Sequence, residues 1–181
     1  MVETERGVRG LKSWITPYGS KIPDIDPDAF VDISVRIIGD VHVAQGASIW
    51  PMAVLRADSD AIHIGRFAAV LDLALLEAPE SHPVWVEEQA LVSHGAIVHG
   101  ARVQSQSLVG IGAIILEGAL ISAGSIVGAG SVVPPGFQIP PNSLVLGVPG
   151  KIIRETTPQE RKNIIDQLQE LHEKSRRLMF P

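Results

Sequence analysis

From Val31 to Val127 an aliphatic residue returns at nearly every sixth position, and no other feature restricts the fold of this chain as strongly. Val31, Ile37, Val43, Ile49 and Leu55 keep step, then Ile64, Val70 and Leu76, then Val86, Val92 and Val98, and, after a step of five, Val103, Val109, Ile115, Ile121 and Val127. From Val43 onward the residue four places further on is nearly always small, as at Ala47, Ala53, Ala90, Ala96, Ser125 and Ser131. Amphipathic helices repeat every 3.6 residues and half-buried strands every two, so neither accounts for a period of six. That period predicts a parallel β-helix, in which each unit is a short strand and a turn, the aliphatic side chain points inward, and three units close one triangular coil. The small residue lets the chain bend at each corner. Glycines such as Gly39, Gly46, Gly95, Gly110 and Gly112 suit corners that need positive φ or close backbone approach.

Composition fits one domain of this shape. The chain has 181 residues, 45% hydrophobic but only 4% aromatic, which suits a narrow prism filled by Val, Ile and Ala. It contains no cysteine, so disulfides and thiolate metal sites are excluded. The net charge of -5 is spread over interspersed acidic and basic residues, leaving no basic stripe to neutralise phosphates, and a nucleic-acid partner is not expected. No stretch approaches the roughly 20 apolar residues that span a bilayer, and the opening MVETERGVRG lacks the apolar segment of a secretory signal. The expectation is a cytoplasmic protein with no membrane association.

The sequence divides into an irregular leader over residues 1–30, the repeat over 31–133, a connecting loop over 134–156 opened by Pro-Pro-Gly and Pro-Pro-Asn turns, and a helix over 157–178. Thr157 is the expected N-cap, Pro158 takes the first helical position, and Glu160 completes a capping box. Ile164, Ile165, Leu168, Leu171 and Leu178 give the helix an apolar stripe for its own or a neighbouring prism.

Polar residues gain meaning from their place in the repeat. Arg56, Glu77 and His99 directly follow Leu55, Leu76 and Val98, three units apart once the excursions at 59–63 and 78–85 are skipped. They should stack on one face, about 4.8 Å apart. Asp72 and His94 lie two places after Val70 and Val92 and form a second column on another face. Zinc bonds are only about 2.0–2.2 Å long, so two such columns cannot meet at one ion within a single prism. They can meet if prisms associate side by side with the Glu77/His99 column of one facing the Asp72/His94 column of the next, an arrangement that closes most simply as a trimer.

Four segments, ASIWPMAVLRAD (47–58), VSHGAIVHG (92–100), VGIGAIILEGALI (109–121) and LVLGVPGKIIRE (144–155), resemble the γ-class carbonic anhydrases and related hexapeptide-repeat proteins, over residues 23 to 157. The resemblance implies a left-handed β-helix with a C-terminal helix, assembled as a homotrimer. It also implies Zn2+, or Fe2+ or Co2+, held by three histidines at each subunit interface, and the interconversion of carbon dioxide and bicarbonate. His94 and His99 match two of the family's metal ligands, Arg56 and Asp58 the Arg-x-Asp pair that ties subunits together, and Asp72 an acidic position beside the metal. Two positions depart from the pattern. Glu77 stands where the remaining histidine ligand belongs, and Leu71 where a glutamine orients the reacting water. The sole tyrosine is Tyr18, in the leader.

Two histidines and a glutamate form a known catalytic zinc set, so Glu77 can keep a metal. Its charge weakens the ion's power to acidify water, and carbon dioxide hydration should be weak or absent. Glu77 can instead pair with Arg56, which leaves His94 and His99 as interface hydrogen-bonders in a metal-free structural or assembly trimer. A third reading is a coenzyme A-dependent acyltransferase with a histidine base. Short excursions and a plain terminal helix weigh against that, and fold alone assigns no function. His42, His63 and His172 read as surface or packing residues, and Glu80 and His82 as a solvated loop. The Gly-x-Gly pairs at 110/112 and 128/130 read as corners, and GVPGK (147–151) lacks the residues of a phosphate loop.

Overall fold

A computed structural model describes residues 14–179, so the first part of the expected leader, residues 1–13, lies outside the described residues. The chain winds into a left-handed parallel β-helix of about seven turns, followed by one helix. Three aliphatic stacks fill the prism, one behind each face. Ile37, Leu55, Leu76, Val98, Ile115 and Val133 are in register behind the first face. Val31, Ile49, Val70, Val92, Val109, Val127 and Val145 lie behind the second, and Ile25, Val43, Ile64, Val86, Val103, Ile121 and Ile139 behind the third. Nearly all are fully enclosed. Each such side chain contributes roughly 1.5–3 kcal/mol of burial, and the six-residue period exists to supply them.

The corners explain the small residues. In the turn Trp50 to Ala53 the Ala53 N–H donates to the Trp50 carbonyl at 3.2 Å, and Ala74 and Ala96 close their turns onto Leu71 and Ser93 in the same way. The third residue of each turn has positive φ: 60° at Met52, 62° at Leu73 and 62° at Gly95. This is type II geometry, which also favours proline in second position, as at Pro51. The fourth residue sits inside the bend, where Ala53, Ala74 and Ala96 are wholly buried.

The same geometry accounts for a difference from the sequence reading. Pro134 to Phe137 and Pro140 to Ser143 are further corners, with positive φ at Gly136 and Asn142. The parallel ladder therefore continues beyond Val133 through Gln138–Ile139 and Ser143–Leu146. Ile139 and Val145 hold the step of six, and proline in second position builds the corner instead of ending the repeat. Lys151–Glu155 then turns back antiparallel on Ser143–Leu146. At the other end, Ile15–Thr16 and Asp24–Ile25, inside the expected leader, pair in parallel with Arg36–Val43.

The long strands Arg36–Val43 and Val54–Ile64 run around the corner between the first and third faces and join them in one sheet. Register slips between Gly39 and Val41, where residues 58–61 bulge out. Only glycine fits at Gly39: its φ is 81°, and a Cβ would stand 2.1 Å from the Ala57 carbonyl oxygen. Lys21 holds the bulge through its Nζ, 3.0 Å from the Asp58 carbonyl and 2.6 Å from that of Ser59.

Helix α1 spans Pro158–Met179. Its capping box forms as expected: the Glu160 N–H donates to Thr157 Oγ1 at 3.2 Å, and the Thr157 N–H to Glu160 Oε2 at 2.8 Å. Ile164 and Leu168 pack on Ala69, Leu71 and Leu91, which covers the second face within the same chain. Leu178, the last residue of the stripe, stays exposed. Among the described residues no helix is long and apolar enough to cross a membrane.

Candidate functional site

The first face carries the column expected from the repeat, with Arg56 opposite Glu77 and Glu77 opposite His99 in adjacent strands. Outward side chains on neighbouring parallel strands stand about 4.8 Å apart, close enough for contact. Arg56 Nη2 donates to Glu77 Oε1, and its Nε lies 3.5 Å from Asp58 Oδ2. The other Glu77 oxygen, Oε2, faces His99 Nδ1 at 3.4 Å. Sequence reasoning missed the next member of the column: Glu117 Oε2 faces His99 Nε2 at 3.5 Å. Glu117 sits in the corner closed by the Ala119 N–H on the Leu116 carbonyl, one place outside the strand frame, and its side chain reaches back along the column. Its appearance in VGIGAIILEGALI, two places after a core isoleucine, was the available signal.

Asp72 and His94 form the second column at the corner between the first and second faces. Asp72 Oδ2 lies 3.0 Å from His94 Nδ1, and the Gly95 N–H donates to the Asp72 carbonyl. Along this corner Ile33, Met52, Leu73 and Ile111 are all exposed, Ile33 at 85%. Met52 and Leu73 also adopt left-handed backbone that costs a non-glycine residue about 1–2 kcal/mol. On the adjoining first face the outward row Val54, Leu75, Ile97, Ile114 and Val132 is apolar and only half-buried, where an exposed sheet face alternates to polar residues. Both candidate columns are thus embedded in uncovered apolar surface.

Leu71 lies elsewhere. It is 1% exposed and packs beneath α1 with Ile164 and Leu168, so the residue at the expected glutamine position faces the helix and not the Asp72/His94 corner.

Among the described residues no three His, Asp or Glu side chains of one chain gather closely enough to hold a metal ion. The fit of part of a ligand set can still be judged. Donor atoms bound tetrahedrally to zinc at about 2.0–2.1 Å are about 3.3–3.4 Å apart, and Glu77 Oε2 and His99 Nδ1 have that separation, 3.4 Å. Arg56 occupies the other carboxylate oxygen and leaves this one available. Glu77 Oε2 and His99 Nδ1 therefore have the spacing of two corners of a zinc tetrahedron.

The other histidines behave as packing and surface groups. His42, His63 and Trp85 stack on the third face, with ring centroids 4.9 and 3.9 Å apart, and Arg102 lies 5.6 Å over Trp85. They border an open groove of about 890 Å³. Burial pushes the His63 imidazole below the usual histidine range, His42 beside it acts in the same direction, and Asp40 and Asp60 oppose. His172 packs edge-on against Phe67, and His82 Nδ1 lies 3.1 Å from the Glu80 carbonyl in an exposed loop.

No protein-family model matches the chain. It is 48% identical over 128 residues to a Methanocaldococcus jannaschii protein named "Probable carbonic anhydrase", covering 71% of this chain and 80% of the relative. A protein of Geobacillus kaustophilus named "Carbonic anhydrase" is 42% identical over 146 residues, covering 81% and 80%. Among solved structures, a Bacillus cereus protein provisionally assigned as an acetyltransferase superposes with a TM-score of 0.86 at 39% identity, over 88% of this chain and 92% of that one.

Proposed function

The chain belongs to the γ-class carbonic anhydrase family of hexapeptide-repeat proteins, and on that premise we propose that it acts in the cytoplasm as a homotrimer with a divalent metal ion between subunits. Glu77 and His99 of one chain and His94 of the next would hold the ion. The observation that carries this reading is the 3.4 Å spacing of Glu77 Oε2 and His99 Nδ1, set in an apolar face that one chain leaves uncovered. The outward row Val54, Leu75, Ile97, Ile114 and Val132, together with Ile33, Met52, Leu73 and Ile111, supplies the surface on which a neighbour would pack. A neighbour seated there brings its corner column to the first face, and a heterologous contact of that kind closes into a ring.

An ion in this site would supply Lewis-acid activation of water for attack on carbon dioxide. The chain's own residues determine how well that works. Glu77 adds a negative charge that Arg56 only partly offsets, and Leu71, beneath α1, offers no hydrogen bond to the reacting group. Asp72 fixes the orientation of the His94 ring. Hydration of carbon dioxide is accordingly weak compared with a site made of three histidines.

A second reading is a trimer without metal. The Arg56 to Glu77 hydrogen bond supports it, because a carboxylate committed to a guanidinium is a poorer ligand. Light scattering and metal analysis on protein purified without chelator separate the two. The metal reading expects three chains and one ion per interface, with Ile97→Asp giving monomers that carry none. Trimers that remain free of zinc when dialysed against it would favour the second reading. Stabilisation by acetyl-coenzyme A in a thermal shift would instead favour acyl transfer, the activity provisionally assigned to the Bacillus cereus protein.

A further inference from the structure

His99 stands between two carboxylates, Glu77 at 3.4 Å from Nδ1 and Glu117 at 3.5 Å from Nε2. A neutral imidazole has one N–H and one lone pair, so it can donate to only one of them. Arg56 offsets the charge of Glu77 through its hydrogen bond to Oε1, whereas the only ion-pair contact of Glu117 among the described residues is His99. Glu117 is therefore the stronger acceptor for the single ring proton.

We propose that Glu117 is a positioning residue for His99: it takes the Nε2–H and leaves the Nδ1 lone pair aimed at the space shared with Glu77 Oε2. This rests on the metal-site reading above and assigns the outer partner of one of its ligands. Metal-binding histidines almost always donate their second ring N–H to a carboxylate, carbonyl or water, which fixes the tautomer and raises ligand basicity. Glu117 occupies that place, and the corner turn from Leu116 to Ala119 holds it there. The arrangement also accounts for a carboxylate at 77: with the ring proton on the far side, Glu77 Oε2 and the Nδ1 lone pair face each other, an orientation satisfied by a cation between them.

Two readouts on the full chain test this. In metal-free protein with 15N-labelled histidine, long-range proton–nitrogen spectra should show His99 as the Nε2–H tautomer. Glu117→Gln should give a mixture, because an amide both donates and accepts. Competition titration should show zinc bound about 10- to 100-fold more weakly by Glu117→Gln than by the parent, with unchanged thermal unfolding. A parent Nδ1–H tautomer, or a Glu117→Gln protein with the parent's tautomer and zinc affinity, would overturn the assignment. A parent that binds no zinc would overturn the metal-site reading instead, while the tautomer measurement still decides the role of Glu117.

Discussion

Oδ2 of Asp72 lies 3.0 Å from Nδ1 of His94, one coil further along the same corner. With Nδ1 so engaged, the ring presents Nε2 outward, toward whatever abuts that corner. Asp72→Asn keeps the size of the side chain but no longer selects a tautomer, and should weaken zinc binding about 10- to 100-fold. Competition titration measures this, with light scattering to verify that the trimer persists. Parental affinity in Asp72→Asn would remove Asp72 from the account.

Leu71 is enclosed by α1, so glutamine there places an amide among Ile164, Leu168 and Leu91. Leu71→Gln should cost about 1–3 kcal/mol in urea unfolding, the range for a buried polar group without a partner. An unchanged midpoint would mean that the side chain turns out of the helix contact and can reach the corner beside Asp72.

Glu77→His restores an imidazole where the family places its remaining ligand and removes the extra negative charge. Stopped-flow carbon dioxide hydration by the zinc-loaded variant should exceed the parent's at least tenfold, an effect of about 1.4 kcal/mol on the barrier. Equal rates with full zinc loading would show that Glu77 is not what limits the chemistry.

The hydrogen bond from Arg154, with a second from the Thr157 N–H, holds the Glu160 carboxyl down at about 2. An unfolded glutamate titrates near 4.3, so the native state gains from this carboxylate above that pH and loses the gain as pH falls from about 4.3 toward 2. Comparing Glu160→Gln with the parent in urea should give a gap in midpoints that is full at pH 7 and closes by pH 2. A gap that stays constant would contradict the Arg154 pairing.

Most of the architecture could be read from the sequence because each coil repeats one physical requirement. An aliphatic residue fills the prism and a small one fits inside the bend, so the Leu55, Leu76, Val98 stack and the Arg56, Glu77, His99 column beside it were legible from spacing alone. Pro135 and Pro141 misled because proline more often ends a strand, yet it suits the second position of a type II corner. Glu117 escaped because its own frame holds no polar column, with Ala78 and Gly100 standing two places after Leu76 and Val98, and only the reach of its side chain brings it to His99. The burial of Leu71 was equally hidden, since only the docking of α1 decides which way that side chain turns.

The central claim, a site completed by two chains, is tested most directly by mixing two defective proteins. His94→Ala and His99→Ala should each bind no zinc at the site. If they are unfolded and refolded together in equal amounts, about one quarter of the interfaces in a ring of heterologous contacts pair an intact His99 with an intact His94. The mixed protein should then bind about a quarter of the parent's zinc, the fraction set by that pairing. A mixture that binds no more zinc than either variant alone would contradict a site shared between subunits.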